Sequence, residues 1–129
     1  MIIADTDVLI DFLSGQGPGA ERVAFELQHG ALSTTVITRF ELLGETLPGK
    51  SGRQVDQLLE ALPCLSLDAE ASDLAAQVRR KLCATGREIG MGDSLIAGIV
   101  LKNKGVLMTR NKKHFLKIEG LRLVDLPGA

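Results

Sequence analysis

The 129-residue chain has no tryptophan and no tyrosine, and only four phenylalanines. Stacking on aromatic side chains, a common sequence-tolerant grip on single-stranded nucleic acid, is therefore a poor basis for recognition here. Cys64 and Cys83 stand far apart, outside any CxxC spacing, and the histidines are two, His29 and His114. That set cannot build a zinc site of the usual kind, and a reducing cytoplasm is the expected setting. No apolar run approaches the ~18 residues that would read as a membrane span. The opening Met1-Ile-Ile-Ala-Asp5 has no basic segment before its first acid, so it does not read as a secretory signal.

What is present fits one globular domain spanning 1–129. Hydrophobic residues make up 45% and charged residues 24%, enough for a sizeable core and an ordinary polar surface. The formal net charge of −1 hides an asymmetry. Residues 1–78 carry 4 basic and 12 acidic side chains, whereas 79–122 carry 11 basic and 3 acidic. Such a division is compatible with nucleic-acid contact and equally with helix faces that differ in sign.

Short apolar segments alternate with helical periodicity. Met1–Ala4 reads as a strand ending at Asp5, followed by Val8, Leu9, Phe12 and Leu13 at helical spacing. The glycine-bearing stretch 14–19 lacks GxGxxG spacing and follows a helix, so it reads as a loop rather than a phosphate cradle. Ala20, Val23, Ala24 and Leu27 form a helical stripe closed by Gly30. Ala31–Ser33 reads as a second strand, and Thr34 or Thr35 can cap a helix carrying Val36, Ile37, Phe40, Leu43 and Leu47. A helix with Val55, Leu58, Leu59 and Leu62 precedes a third strand, Cys64–Leu67. Asp68 can cap a helix that ends before Gly86. A helix opens near Asp93, Gly105–Met108 is a fourth strand, Thr109–His114 a polar turn, and Leu121–Val124 a last edge strand. This alternation predicts an α/β fold: a three-layer α/β/α sandwich on a mainly parallel sheet of four to five strands.

In an open parallel sheet, ligands bind beyond the carboxyl ends of the strands. Asp5 ends the first strand, Glu41 lies in the helix after the second, Asp93 opens the helix before the fourth, and Thr109, Arg110 and Asn111 follow the fourth directly. Singly, Asp5 and Asp93 are ordinary N-cap candidates. Glu41 borders an apolar stripe, where a carboxylate is costly unless paired, metal-bound or reaching solvent. His29, near a helix C-terminus, reads as structural. Together the acids constrain one another: two carboxylates ~4 Å apart repel by about 4 kcal/mol at an effective dielectric near 20. Such a cluster takes a cation or takes up protons. An all-oxygen set favours Mg²⁺ or Mn²⁺ over zinc.

Four segments in order resemble the motifs of PIN domains. Ile3-Ala-Asp5-Thr-Asp7-Val-Leu-Ile10 is similar to the family's opening strand, and Thr38-Arg-Phe-Glu41-Leu-Leu-Gly44 to its Glu-Leu motif. Met91-Gly-Asp93-Ser-Leu-Ile-Ala97 resembles the third motif, and Leu107-Met-Thr109-Arg-Asn111-Lys-Lys-His114-Phe115 the fourth. The compact size resembles the VapC toxins of toxin–antitoxin pairs. The fourth motif departs from the family pattern: the matching positions are Asn111 and His114, where an acid is common. Asp7 stands where Asn is common.

The resemblance implies Mg²⁺- or Mn²⁺-dependent hydrolysis of RNA phosphodiesters. Asp5, Glu41 and Asp93 would serve as metal ligands and catalytic residues, with Thr109 and Asn111 on phosphate or water. Arg110, Lys112 and Lys113 would hold the RNA backbone, and Phe115 would be core. It further implies a cognate antitoxin and a homodimer, for which Val55–Leu62 offers an apolar surface that could equally be core. Two other readings stand beside this one. Asp5-Thr-Asp7 and Gly92-Asp93 also resemble a haloacid-dehalogenase-type phosphatase. There the Ser/Thr motif should precede the Gly-Asp motif, yet Thr109 follows Asp93. A non-catalytic PIN-like module that binds RNA or protein is the second.

Overall fold

A computed structural model describes residues 1–45 and 52–128. Five strands form one parallel sheet in the order β3-β2-β1-β4-β5: β1 (Ile2–Ala4), β2 (Leu32–Thr35), β3 (Cys64–Leu65), β4 (Val106–Met108) and β5 (Arg122–Leu123). Ile2, Ile3 and Ala4 pair with Val106, Leu107 and Met108, while Ile2 and Ile3 also pair with Leu32 and Ser33 on the other side. Seven helices connect and cover the strands among the described residues: α1 (Thr6–Ser14), α2 (Ala20–Gln28), α3 (Val36–Gly44), α4 (Gly52–Glu60), α5 (Ala69–Ala84), α6 (Met91–Lys102) and α7 (Lys112–Phe115).

Strand side chains alternate between the two faces, and two cores result. Ala4, Met108 and Val124 pack with Val8, Leu9, Val23, Leu42 and the α4 leucines on one face. Ile3 and Leu107 pack with Val78, Leu82, Ile96, Val100 and Phe115 on the other. The three layers and parallel sheet expected from the sequence are therefore present. A hairpin of α5 and α6 forms the outer layer of the second face. Gly98 permits its close approach, since a Cβ there would lie 2.8 Å from Ala75 Cβ. No helix among the described residues is long and apolar enough to cross a membrane.

Several local expectations change. The apolar residues of α4, Val55, Leu58 and Leu59, and Leu62 just beyond it, are buried in the monomer, so they are core and offer no dimer surface. In α3 the buried positions are Thr38 and Leu42, whereas Phe40 and Leu43 are 76% and 51% exposed. Of the periodic stripe, Val36 and Ile37 are half-buried, Ile37 against the second core, while Phe40 and Leu43 face outward; Leu47 lies outside the described residues. In α2, Ala24 is exposed and Glu26 is buried beside Arg22, 3.6 Å away. The polar turn after β4 contains the short α7.

The strand order places the site. From central β1 the chain moves outward through β2 to β3, then returns to β4 on the opposite side of β1. The connections leaving β1 and β4 thus depart in opposite directions. A crevice opens between their carboxyl ends, the usual ligand position in such sheets.

Candidate active site

Asp5 and Thr109 stand at that switch point, the first residues beyond β1 and β4. The backbone N–H of Asp5 continues the ladder, donating to Met108 O at 2.9 Å. Asp5 is also the N-cap of α1, its Oδ1 accepting from Thr6 N at 2.8 Å. The capping reading therefore holds, and the same side chain stands at the crevice between the strand ends. Its other oxygen accepts from Thr109 Oγ1 at 2.8 Å, and Thr109 Oγ1 in turn accepts from Asn111 N at 3.1 Å. Asp5 is 4% exposed. Burial, then the charge of Asp7 and, more weakly, of Asp93, pushes its carboxyl up to about 7 against the opposing Thr109 and Thr6 hydrogen bonds.

Asp7 reaches the same loop from the first turn of α1. Its Oδ2 accepts from Arg110 N at 3.0 Å and lies 3.3 Å from Thr109 Oγ1. Burial raises its carboxyl too, partly offset by the Arg110 N–H. Asp7 Oδ1 is buried and has no hydrogen-bond partner among the described residues. An unpaired carboxylate oxygen beside a second buried carboxylate is costly.

Glu41 is half-buried on α3. Thr6 Oγ1 donates to Glu41 Oε1 at 2.6 Å and lies 3.1 Å from Thr38 Oγ1. Residue 6 thus couples the α1 start to α3. Gly92 lies beside Glu41, where a Cβ would sit in ordinary contact, 3.8 Å from Glu41 Oε2. Asp93 is in the first turn of α6 but does not cap it; Gly90 is the N-cap, with no side-chain bond. Asp93 Oδ2 instead lies 3.0 Å from His114 Nδ1. His114, at the position where sequence reasoning noted a missing acid, is thereby tied to Asp93.

Asp5 and Asp93 sense each other electrostatically, and Glu41 joins through Thr6. Among the described residues, no three His, Cys, Asp or Glu side chains converge closely enough to hold an ion by themselves. The donors present nonetheless fit a hard divalent cation. A buried carboxyl is held at about 7 by burial and by like charges, an orphaned carboxylate oxygen stands next to it, and both are oxygen donors. A cation would relieve what burial and repulsion oppose.

The basic residues proposed as RNA contacts are placed less simply. Arg110 Nε lies 3.2 Å from Asp11 Oδ2, and Lys112 Nζ 3.5 Å from Asp125 Oδ1. Lys113 is exposed, as is Asn111, the N-cap of α7. Asp11 escaped sequence reasoning. It is 5% exposed and also accepts from Gly19 N at 2.9 Å. Gly17, at φ +96°, passes so close that a Cβ would lie 2.5 Å from Asp11 Cγ. Its signal was the glycine-rich 14–19 stretch: those glycines wrap a buried carboxylate rather than a phosphate.

The PIN-domain family matches residues 2–121. The chain belongs to this family. A tRNA(fMet)-specific endonuclease VapC of Shigella flexneri is 27% identical over 94% of both chains. A ribonuclease VapC10 of Mycobacterium tuberculosis is 29% identical over 95% of this chain and 91% of its own length. DNA-bound VapBC from Salmonella typhimurium superimposes with a TM-score of 0.81 at 25% identity, covering 96% of each chain. Membership of the PIN-domain family sets the phosphatase reading aside.

Proposed function

We propose that this PIN-domain protein is a Mg²⁺- or Mn²⁺-dependent endoribonuclease, the toxin of a toxin–antitoxin pair. The observation that carries the reading is Asp5: a buried carboxyl at the switch point, bonded to Thr109 and facing Asp7 and Asp93. Asp5 and Asp93 would hold the ion, with Glu41 as a further ligand or as the orienter of a bound water. When bound, the ion would polarise the scissile phosphate and lower the pKa of water. The chain's own part is positional. Thr109 fixes one oxygen of Asp5, Thr6 fixes Glu41, and Asn111 presents its amide at the rim. His114 holds Asp93 from the solvent side. Names of relatives support RNA as the substrate class: endonuclease on tRNA(fMet) in one, ribonuclease in another.

An antitoxin partner and a homodimer belong to the same proposal. Phe40 and Leu43 of α3 and Met91 at the start of α6 are large, apolar and 51–76% exposed. Phe40 follows Ile37 by one turn, and Met91 adjoins Gly92, whose Cβ would lie 4.0 Å from Ile37 Cγ2. These residues border the Glu41 side of the site, where a second copy would bury them. The deciding experiment is RNA cleavage by purified wild type and Asp93→Asn, in Mg²⁺ and in EDTA. Metal-dependent cleavage lost in the variant supports the reading. RNA binding without cleavage under any metal favours the non-catalytic module.

A further inference from the structure

The basic segment 79–122 is only partly absorbed by the site. Lys102 is paired with Asp68, Arg110 with Asp11 and Lys112 with Asp125. Arg87 and Lys117, both exposed, belong to none of these pairs. They share instead the rim of a groove of about 410 Å³ on the second face, whose floor is Leu82, Leu101 and Ile118 and whose rim also carries Gln77. Leu82 and Ile118 are nearly buried, at 7% and 6% exposure. A Lys81–Glu119 ion pair of 3.6 Å, itself solvent-exposed, joins the two walls.

Both walls continue along the chain to residues of the candidate active site. One runs from α5 through Arg87 into α6 and Asp93. The other runs back from Lys117 through the end of α7 to His114. Asp93 and His114 meet at 3.0 Å. Lys113, exposed, precedes Lys117 by four residues on this second wall.

We propose that this groove receives one unstacked nucleotide of the RNA, next to the cleavage site. The proposal rests on the ribonuclease reading. Its base would lie on the aliphatic floor, its flanking phosphates against Arg87 and Lys117, and the Gln77 amide would meet a base edge. Three features favour this occupant. The volume falls within the roughly 300–1,000 Å³ of small-ligand sites. A phosphate track alone needs cations but no apolar floor, whereas single-stranded RNA is commonly bound with bases splayed out of the stack. The cations at the rim match the charge of the backbone on either side of such a base. In a chain without Trp or Tyr, an aliphatic floor is one apolar surface on which a base can lie.

The test uses the intact protein with a labelled single-stranded RNA oligonucleotide, measuring affinity against salt in EDTA and, in parallel, cleavage in Mg²⁺. Arg87→Ala/Lys117→Ala is compared with wild type and with Arg79→Ala/Arg80→Ala, which removes equal charge from exposed α5 positions outside the groove. The groove variant should bind at least about tenfold more weakly, and its log–log salt slope should shrink by about 1.4, two contacts at roughly 0.7 each. The control pair should stay near wild type. Gln77→Ala should change the ranking of homopolymer RNAs more than it changes mean affinity. A free nucleoside monophosphate should compete only weakly, because the flanking phosphates are missing. Equal weakening by both double variants would reduce the effect to net charge and overturn the groove. So would a mononucleotide that binds as tightly as RNA, which would make the groove a small-molecule site. Wild-type binding and cleavage of RNA with an unaltered Arg87→Ala/Lys117→Ala variant sinks the groove alone. Absence of both binding and cleavage in wild type sinks the ribonuclease reading with it.

Discussion

Thr109 Oγ1 donates to Asp5 Oδ2 at 2.8 Å, joining residues 104 positions apart in the chain. The bond spans the two strand ends at the switch point, and Thr109 is 1% exposed. Thr109→Val keeps the shape but removes the hydroxyl. Asp5 then loses a bond that lowers its pKa, and Asn111 N loses its acceptor. The expected result is destabilisation of about 1–3 kcal/mol, the usual cost of leaving buried polar groups unpaired, with cleavage reduced at least tenfold. Thr109→Ser should recover most of both. Chemical denaturation and RNA cleavage measured on the same preparations check this; a fully active, fully stable valine variant would refute the role assigned to the hydroxyl.

Asp5 gives the metal-free protein an unusual pH dependence. Its carboxyl lies at about 7 in the folded state against 3.8 as a model value. The folded state therefore holds this proton more tightly than the unfolded chain. The associated stability is fully present below about 4 and is lost as pH rises, being gone above about 7. The gap between the two values corresponds to about 4 kcal/mol as an upper limit. Asp5→Asn should remove this slope and be more stable than wild type at pH 8 without metal, while abolishing cleavage. Asp93→Asn should likewise abolish cleavage and fold normally. Melting temperatures in EDTA between pH 4 and 8 carry the comparison; an Asp5→Asn variant that keeps the wild-type slope contradicts the assignment.

The fold was legible because its signals are local and periodic. Alternating strand and helix patterns gave all five strands, with ends misplaced by one or two residues where short strands run into caps. Helix faces were harder. In α3 the apolar residues Phe40 and Leu43 point outward, while Thr38 is buried beside the network of Thr6 and Glu41. Hydrophobicity alone cannot anticipate a polar residue drawn inward by a hydrogen bond. The carboxylates were placed at one sheet edge from topology, but their partners were not legible. Asp11 with Arg110, and Asp93 with His114, depend on separate elements meeting across 99 and 21 positions in sequence. No pattern within a segment encodes such meetings.

The α5–α6 packing offers a test of the fold independent of chemistry. Gly98 sits where a Cβ would lie 2.8 Å from both Ala75 Cβ and Ala75 N. Relief would require the two helices to separate, which a packed interior resists. Gly98→Ala should destabilise by about 1–3 kcal/mol, and Gly98→Val by more. Gly44 is the contrast: among the described residues nothing lies within 4 Å of a Cβ there, and it closes α3. Gly44→Ala should be neutral or stabilising by up to about 1 kcal/mol, through propensity and lost freedom of the unfolded chain. Urea denaturation of the two alanine variants decides it, and equal stability of both would contradict the helix contact.

Metal binding can be separated from catalysis by following stability. A ligand that binds only the folded state stabilises by RT ln(1 + [L]/Kd), about 2.7 kcal/mol at a hundredfold excess over Kd. Wild type should therefore melt higher in Mg²⁺ or Mn²⁺ than in EDTA. Asp5→Asn and Asp93→Asn should show little or no such gain. Because Asp5 holds its proton up to about 7, cation and proton compete for it. The stabilisation should be small at pH 5 and grow through pH 7, and binding at pH 6.5 should release protons, which calorimetry in buffers of different ionisation enthalpy detects. Ca²⁺, also an oxygen-seeking cation but larger and looser in geometry than Mg²⁺, should raise the melting temperature without supporting cleavage. Cleavage should stop in EDTA and return with Mg²⁺ or Mn²⁺. A pH-independent metal effect, or equal stabilisation of wild type and Asp5→Asn, would place the ion elsewhere and remove Asp5 from its coordination.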